Sequence, residues 1–305
     1  MAFEVTIVGS SGAVPVYGRH PSCQFINVQN RHLLIDCGEA AQIQLARFQL
    51  PIHKINQIFI SHLHGDHYLG LMGLLFTMHL QKRTADLQIF SPKGLDEIIL
   101  QQLKYSKSSL NFHIDYHSFP PEKKMQLFED EAITVTTIPL KHKLPTSGFL
   151  IAEKPKPLRL NKLLLEPTMK LQHIAQLKQG KDVYDGDNLL YRSADYTLPP
   201  HPSRRYAYCS DTAFNEEMAE QIREVDLLYH EATFMDEEQE KAIETQHSTA
   251  REAGQLAWKA QVKKLIVGHF SARYKELDGL LSEARSVFPP TELATEGTTF
   301  DLDTL

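Results

Sequence analysis

Cysteine is scarce in this 305-residue chain: Cys23, Cys37 and Cys209 make three, an odd number, and no two stand in a C-x-x-C spacing. That excludes a disulfide framework and a zinc ribbon, and leaves reduced core thiols as the expectation. Long apolar runs are missing too. Those at 69–75 and 265–267 fall far short of the ~18 residues a membrane span needs. The first residues lack a basic stretch and lead straight into a strand-like alternation, so no cleaved secretory signal is expected and the cytoplasm is the expected compartment. No low-complexity tract and no repeat of 20–50 residues occurs, which sets aside repeat architectures. With 42% apolar and 23% charged residues, the chain resembles neither a disordered protein nor a coiled coil. At ~150 residues per domain, the length suits two domains or one large α/β unit built from two similar halves.

What is plentiful is histidine. Fifteen are present, and several stand in tight clusters. Charge is also uneven: residues 154–205 carry ten Lys and Arg against five Asp and Glu, or +5, while the rest of the chain carries −11. Six prolines break this basic segment and it has no long apolar face, so it is expected to be an extended excursion from the body. On either side, strand-like and helical patterns alternate. Strands are expected at 3–9, 24–28, 32–36, 57–61, 87–90, 112–117, 132–138 and 147–152, with helices at about 39–48, 68–80 and 95–104. After the insert, strands are expected at 206–210, 226–230 and 264–268, with helices at 216–222, 247–260 and 274–287. Such alternation favours sheets covered by helices.

The run Ile58-Phe59-Ile60-Ser61 ends abruptly in His62-Leu63-His64-Gly65-Asp66-His67. Four metal-binding side chains in six residues cannot share one face of a helix or strand. A turn at Gly65 lets His62 and His64 face one metal while Asp66 and His67 face a neighbour. Imidazole and carboxylate without thiolate suit zinc, with manganese or iron as weaker candidates.

This stretch resembles the signature of the metallo-β-lactamase fold. The segment Asp36-Cys37-Gly38-Glu39-Ala40-Ala41-Gln42 resembles the D-C-G-E-G-T-Q segment of ribonuclease Z, the family of tRNA 3′-processing endonucleases. Further matches follow in order: His142 in Leu140-Lys141-His142-Lys143, Asp211 in Cys209-Ser210-Asp211-Thr212, His230-Glu231-Ala232-Thr233-Phe234, His247-Ser248-Thr249, and Gly268-His269-Phe270-Ser271-Ala272-Arg273-Tyr274.

The resemblance implies an α/β fold, a four-layered αβ/βα sandwich with metals at strand ends between two sheets. It covers one domain, residues 1–305, with an inserted basic arm at about 154–205 that protrudes and clamps the tRNA elbow. His62, His64 and His142 would hold one metal, Asp66, His67 and His269 a second, and Asp211 would bridge them; the expected cofactor is two Zn²⁺ per subunit, with Mn²⁺ as an alternative. Such a pair suits in-line displacement at phosphorus. Asp66 is the expected acceptor of the water proton, His247 the general acid for the departing 3′-oxygen, and Glu231 the group that orients His247. Ser271 and Arg273 are candidates for holding a phosphate oxygen, and Lys156, Arg159, Lys162, Lys178 and Lys181 for contacting the RNA backbone. The expected activity is removal of 3′ trailers from precursor tRNA, leaving a 3′-hydroxyl on the tRNA and a 5′-phosphate on the trailer, by a homodimer with no membrane association.

The chain departs from the family at two points. Glu166-Pro167-Thr168-Met169 stands where the arm often has a Gly/Pro-rich tip, and Pro15-Val16-Tyr17-Gly18-Arg19-His20 replaces a P-x-K-x-R-N pattern linked to discrimination against mature CCA ends. Two other functions fit the same fold: a phosphodiesterase for small or cyclic nucleotide diesters, which needs no arm, and a non-catalytic RNA-binding subunit, whose mark would be lost ligands.

Overall fold

The computed structural model describes residues 2–167 and 169–305, so Thr168 of the departing arm segment lies outside the described residues. Two compact units emerge, one from residues 1–151 with 205–305 and the other from 152–204.

The larger unit holds two seven-stranded sheets. The first runs Thr299–Asp301, Phe3–Gly9, Cys23–Val28, Arg31–Ile35, Ile55–Phe59, Leu87–Ser91, Ile114–Ser118 across its width. Pairing is antiparallel up to Arg31–Ile35 and parallel beyond it. The second runs Thr291–Leu293, Lys264–Gly268, Leu227–Glu231, Arg205–Cys209, Thr146–Glu153, Ile133–Leu140, Gln126–Glu129, and its first four strands are parallel.

Strand periodicity decides which side chains meet. Leu33 and Ile35 join Val5, Ile7, Phe149 and Tyr206 in a core shared by the two sheets. Leu34, pointing the other way, packs with Leu45, Leu74, Leu75 and Ile99 from the helices Ala41–Arg47, Leu71–Leu80 and Leu95–Ser106. On the far side, Ala253, Leu256 and Ala284 from the helices Ala250–Lys259 and Asp278–Val287 cover the second sheet. Helix, sheet, sheet, helix is the four-layered sandwich that the resemblance implies. Cys23, Cys37 and Cys209 are buried free thiols, as expected.

Several boundaries move. The helix expected at 68–80 is two, Gly65–Tyr68 and Leu71–Leu80. Gly70 sits at the break because the backbone passes so close to Gly38 that a Cβ there would lie 1.9 Å from its carbonyl oxygen. The helix expected from 247 starts at Ala250, where Thr249 and Glu252 form a reciprocal capping box. That leaves His247 in the preceding loop. The helix expected from 274 starts at Asp278, because Arg19 donates to the carbonyls of Tyr274 and Lys275 and the Tyr274 hydroxyl accepts from the Met235 amide. Residues 216–220 form a 3₁₀ turn rather than an α-helix.

The segment expected to be an extended excursion is instead folded. Residues 152–204 contain the helix Leu171–Lys178, a hairpin of Val183–Asp185 with Asn188–Tyr191, and a short ladder of Arg159–Leu160 with Thr197–Leu198. Met169, Leu177 and Val183 form a small core, joined by Ile174, Tyr191 and Tyr196. These apolar residues share no single helical face, so no periodicity marks them. They converge only once the hairpin and helix exist.

Candidate metal centre

The donor side chains stand at strand ends. Four residues past the strand Ile55–Phe59 lead to His64, whose backbone is extended, and one helical turn from Gly65 to Tyr68 then separates Asp66 and His67 from His62 and His64. Asp36, Asp211 and His269 each follow a strand and adopt left-handed backbone, with φ of 55°, 61° and 57°. Asp and His tolerate that region better than most residues, and such positions cluster at functional sites.

Two sets of donors converge on Asp211. His64 Nδ1 lies 2.9 Å from His62 Nε2 and 3.3 Å from His142 Nε2, and Asp211 Oδ2 is 3.7 and 3.8 Å from the same two Nε2 atoms. The other oxygen, Asp211 Oδ1, is 3.1 Å from Nε2 of both His67 and His269, and Asp66 Oδ2 is 3.5 Å from each. Tetrahedral donors about 2.0–2.1 Å from a cation lie roughly 3.3 Å apart, so both sets have the spacing a divalent ion requires. The Nε2 atoms of His67 and His269 are buried without a hydrogen-bond partner, as expected of ring nitrogens reserved for a cation. Space is tight behind His269: a Cβ at Gly12 would come within 2.8 Å of its ring.

The opposite ring nitrogens are tied down. His67 Nδ1 pairs with Asp36 Oδ2 at 2.7 Å, His269 Nδ1 with Thr233 Oγ1 at 2.9 Å, and His142 Nδ1 with the Gln246 carbonyl at 3.0 Å. Each such bond points the Nε2 lone pair inward. Asp36 is itself held by the Ser61 amide, the Ser61 hydroxyl and the Tyr208 hydroxyl. Asp66 Oδ2 accepts from the Ala13 amide at 2.7 Å.

Burial, with His67 alongside, pushes His62 well below the usual imidazole range; burial and His142 push His64 down, and burial does the same to His142. Neutral imidazole is the ligating form. His67 goes the other way, because Asp211, Asp66 and Asp36 outweigh the effect of burial. Burial opposes ionisation of Asp66 and Asp211, yet the imidazoles of His67 and His269 hold both carboxyls well below the usual carboxylate range.

Beside the donors stands His247, whose Nδ1 lies 2.9 Å from Glu231 Oε1. Glu231, fully buried, also accepts from the amides of Thr212 and Ser248 and from the Thr233 hydroxyl. Burial works against charge on His247, but Glu231 more than compensates and raises it to about 9. His247 also falls within metal-binding range of Asp211 and His269.

A cleft of about 620 Å³ opens over this cluster, and Ser271 and Arg273 line it. Arg273 pairs with Glu238 at 2.7 Å and covers the Phe234 ring. Lys143 and Lys241 line the same cleft, and neither was singled out from sequence. Of the arm cations, Lys156 pairs with the buried Glu153 at 2.6 Å, Arg159 Nε donates to the Pro199 carbonyl, Lys178 is half-buried, and Lys162 and Lys181 are exposed. Sequence reasoning also passed over the supporting roles of Asp36, Tyr208 and Thr233. For Asp36 a signal existed, since it follows a strand just as Asp211 does.

A protein named ribonuclease Z from Cytophaga hutchinsonii is 49% identical over 98% of this chain and 96% of its own length. This chain belongs to the ribonuclease Z family. Another protein of that name, from Bacteroides thetaiotaomicron, is 42% identical over 96% of this chain and 93% of its own length. Among solved structures, the short form of human tRNase Z superposes with a TM-score of 0.71 at 28% identity, covering 97% of this chain and 98% of the human one. Residues 166–270 match the family described as Beta-lactamase superfamily domain, and residues 3–156 belong as well to the family described as Anti-Pycsar protein Apyc1. The four-layered body is therefore a metallo-β-lactamase fold, and divalent metal binding fits both the fold and the donor clusters.

Proposed function

We propose that this chain is an endoribonuclease that removes the 3′ trailer from precursor tRNA, leaving a 3′-hydroxyl on the tRNA and a 5′-phosphate on the trailer. The observation that carries this is Asp211 dividing its two oxygens between two donor sets, with the His247–Glu231 pair beside them, in a chain of the ribonuclease Z family. The donor chemistry favours two zinc ions per subunit, with manganese as the alternative: His62, His64, His142 and Asp211 around one, Asp66, His67, His269 and Asp211 around the other. When bound, two such ions supply charge stabilisation at the scissile phosphate and lower the pKa of water.

The chain's own residues do the rest. Asp66, held ionised and fixed by the Ala13 amide, takes the proton of the attacking water. As the O3′–P bond breaks, protonated His247 gives its proton to the departing 3′-oxygen. Glu231 keeps that proton in place and orients the ring. Ser271 and Arg273 hold a non-bridging phosphate oxygen. The exposed Lys162 and Lys181, with Lys156, Arg159 and Lys178, contact phosphates of the tRNA from the arm.

A homodimer accords with an uncovered apolar face. The helix Leu71–Leu80 is apolar on nearly all sides, and Ile43, Leu69 and Leu80 are 62%, 59% and 77% exposed. Leu69 also lines the catalytic cleft, so a second copy seated there adjoins the active site. No described helix is long and apolar enough to cross a membrane, and a precursor-tRNA substrate supports a cytoplasmic location.

The test is a comparison of specificity constants for the metal-loaded protein on a 3′-extended pre-tRNA, a cyclic dinucleotide and bis(p-nitrophenyl) phosphate. Pre-tRNA is expected to be preferred; preference for a small diester would overturn the assignment, and no cleavage of any would point to an RNA-binding subunit.

A further inference from the structure

A second cleft, of about 540 Å³, lies next to the donor cluster and plays no part in the chemistry above. Its walls are apolar and rich in proline, with Leu63, Phe119, Pro120, Pro121 and Pro145 among them. Leu63 stands between the donors His62 and His64, and Pro145 follows His142 by three residues, so the cleft adjoins the catalytic one. Its remaining walls come from just past the strands Leu87–Ser91 and Ile114–Ser118, which run parallel to Ile55–Phe59 and end at the same edge of the sheet. Ligands of open α/β sheets bind along that edge.

The chemistry of the walls suggests what fits. Rigid proline and leucine surfaces offer flat contact but no pattern of donors and acceptors, which suits a π face of any base identity. The charged residues that line the cleft are Lys93 and Glu122; Lys123 and Lys124 come next in the chain, and Lys143 lines the first cleft. Resting on the endoribonuclease function above, we propose that this cleft binds an unpaired nucleobase of the trailer, stacked on the proline wall, with Lys93 on a neighbouring phosphate. The trailer is the occupant because the acceptor stem is a duplex whose bases are already stacked, whereas a single strand can splay its bases onto a protein.

The test needs three substrates and two variants. Wild-type protein is given a pre-tRNA with a six-nucleotide trailer, the same molecule with an abasic trailer, and bis(p-nitrophenyl) phosphate. Removing the trailer bases is expected to lower kcat/KM about tenfold, mainly through KM, within the range that base stacking supplies. Ser118→Trp, at an exposed position, fills the cleft and is expected to bring the intact trailer down to the abasic value while leaving the abasic substrate and the small diester unchanged. Lys93→Ala is expected to weaken both pre-tRNAs and spare the small diester. Equal rates on intact and abasic trailers with wild-type protein would overturn the proposal and leave the endonuclease function standing, as would an unchanged base dependence in Ser118→Trp. Failure of wild-type protein to cut either pre-tRNA would remove both.

Discussion

Glu231 holds His247 from beneath: its Oε1 lies 2.9 Å from His247 Nδ1, and two backbone amides and the Thr233 hydroxyl lock the carboxylate in place. That contact raises His247 to about 9 against the opposing effect of burial, so the ring is protonated at neutral pH and able to act as an acid. Turnover that depends on protonated His247 falls as pH rises through that value. In Glu231→Gln the negative charge is gone, the imidazole returns to ~6.5 or below because burial still opposes its charge, and the alkaline limb of the pH–rate profile is expected to move down by about 2 units or more. His247→Ala is expected to lose about 10²–10⁴-fold on pre-tRNA with its metals retained, and much less on a p-nitrophenyl ester, whose leaving group needs no proton. Equal losses on the two substrates would rule out the acid role.

Asp211→Ala removes a donor from both sets at once, so bound metal and turnover are expected to fall together. Asp66→Ala takes a donor from one set only. Metal analysis should show a larger loss in the first variant than in the second, and two metals with full activity in Asp211→Ala would contradict the shared-carboxylate geometry.

Asp36 touches no substrate, yet it fixes the His67 ring from behind. Asp36→Asn is expected to weaken metal affinity by about 10- to 100-fold, as loss of an outer partner of a ligating histidine usually does. Titration with zinc should therefore restore much of its activity at saturating metal. An activity loss that excess zinc leaves untouched would assign Asp36 another role.

The histidine cluster was legible because four metal-binding side chains, His62, His64, Asp66 and His67, stand within six consecutive residues. Long core strands were legible too, and Phe3–Gly9 and Lys264–Gly268 stand where the alternation put them. Shorter pieces were not. Gln126–Glu129, Thr291–Leu293 and Thr299–Asp301 are three or four residues long, too few to show a period, and they lie at sheet edges. The helix Gln239–Thr245 buries only Ala242 and so carries no apolar stripe. The supporting shell was hidden for another reason. Thr233 and Tyr208 act on His269 and Asp36, contacts between residues distant in sequence that no local pattern records.

The arm should be removable as a unit but not in part. Leu177 shares a core with Val183 and Tyr191, so a cut that ends near 181 would strand apolar side chains. Replacing residues 154–203 by Asn-Gly joins Glu153 to Arg204, whose backbones already share a hydrogen bond. This variant is expected to keep its metals and its rate on bis(p-nitrophenyl) phosphate while kcat/KM on pre-tRNA falls sharply. In the intact protein, pre-tRNA binding should weaken steeply with salt as phosphate contacts release counterions. Unchanged pre-tRNA affinity in the deletion would show that the arm takes no part in capture.

Endonucleolytic removal of an intact trailer is checked by mapping the ends that one cut leaves. An internally labelled, 3′-extended pre-tRNA is incubated with the metal-loaded protein, and both fragments are analysed for terminal phosphate. One cleavage is expected, with a 3′-hydroxyl on the tRNA fragment, a 5′-phosphate on an intact trailer, and neither fragment formed by Asp211→Ala. A ladder of mononucleotides from the 3′ end, a 3′-phosphate on the tRNA fragment, or the same products from Asp211→Ala would contradict it.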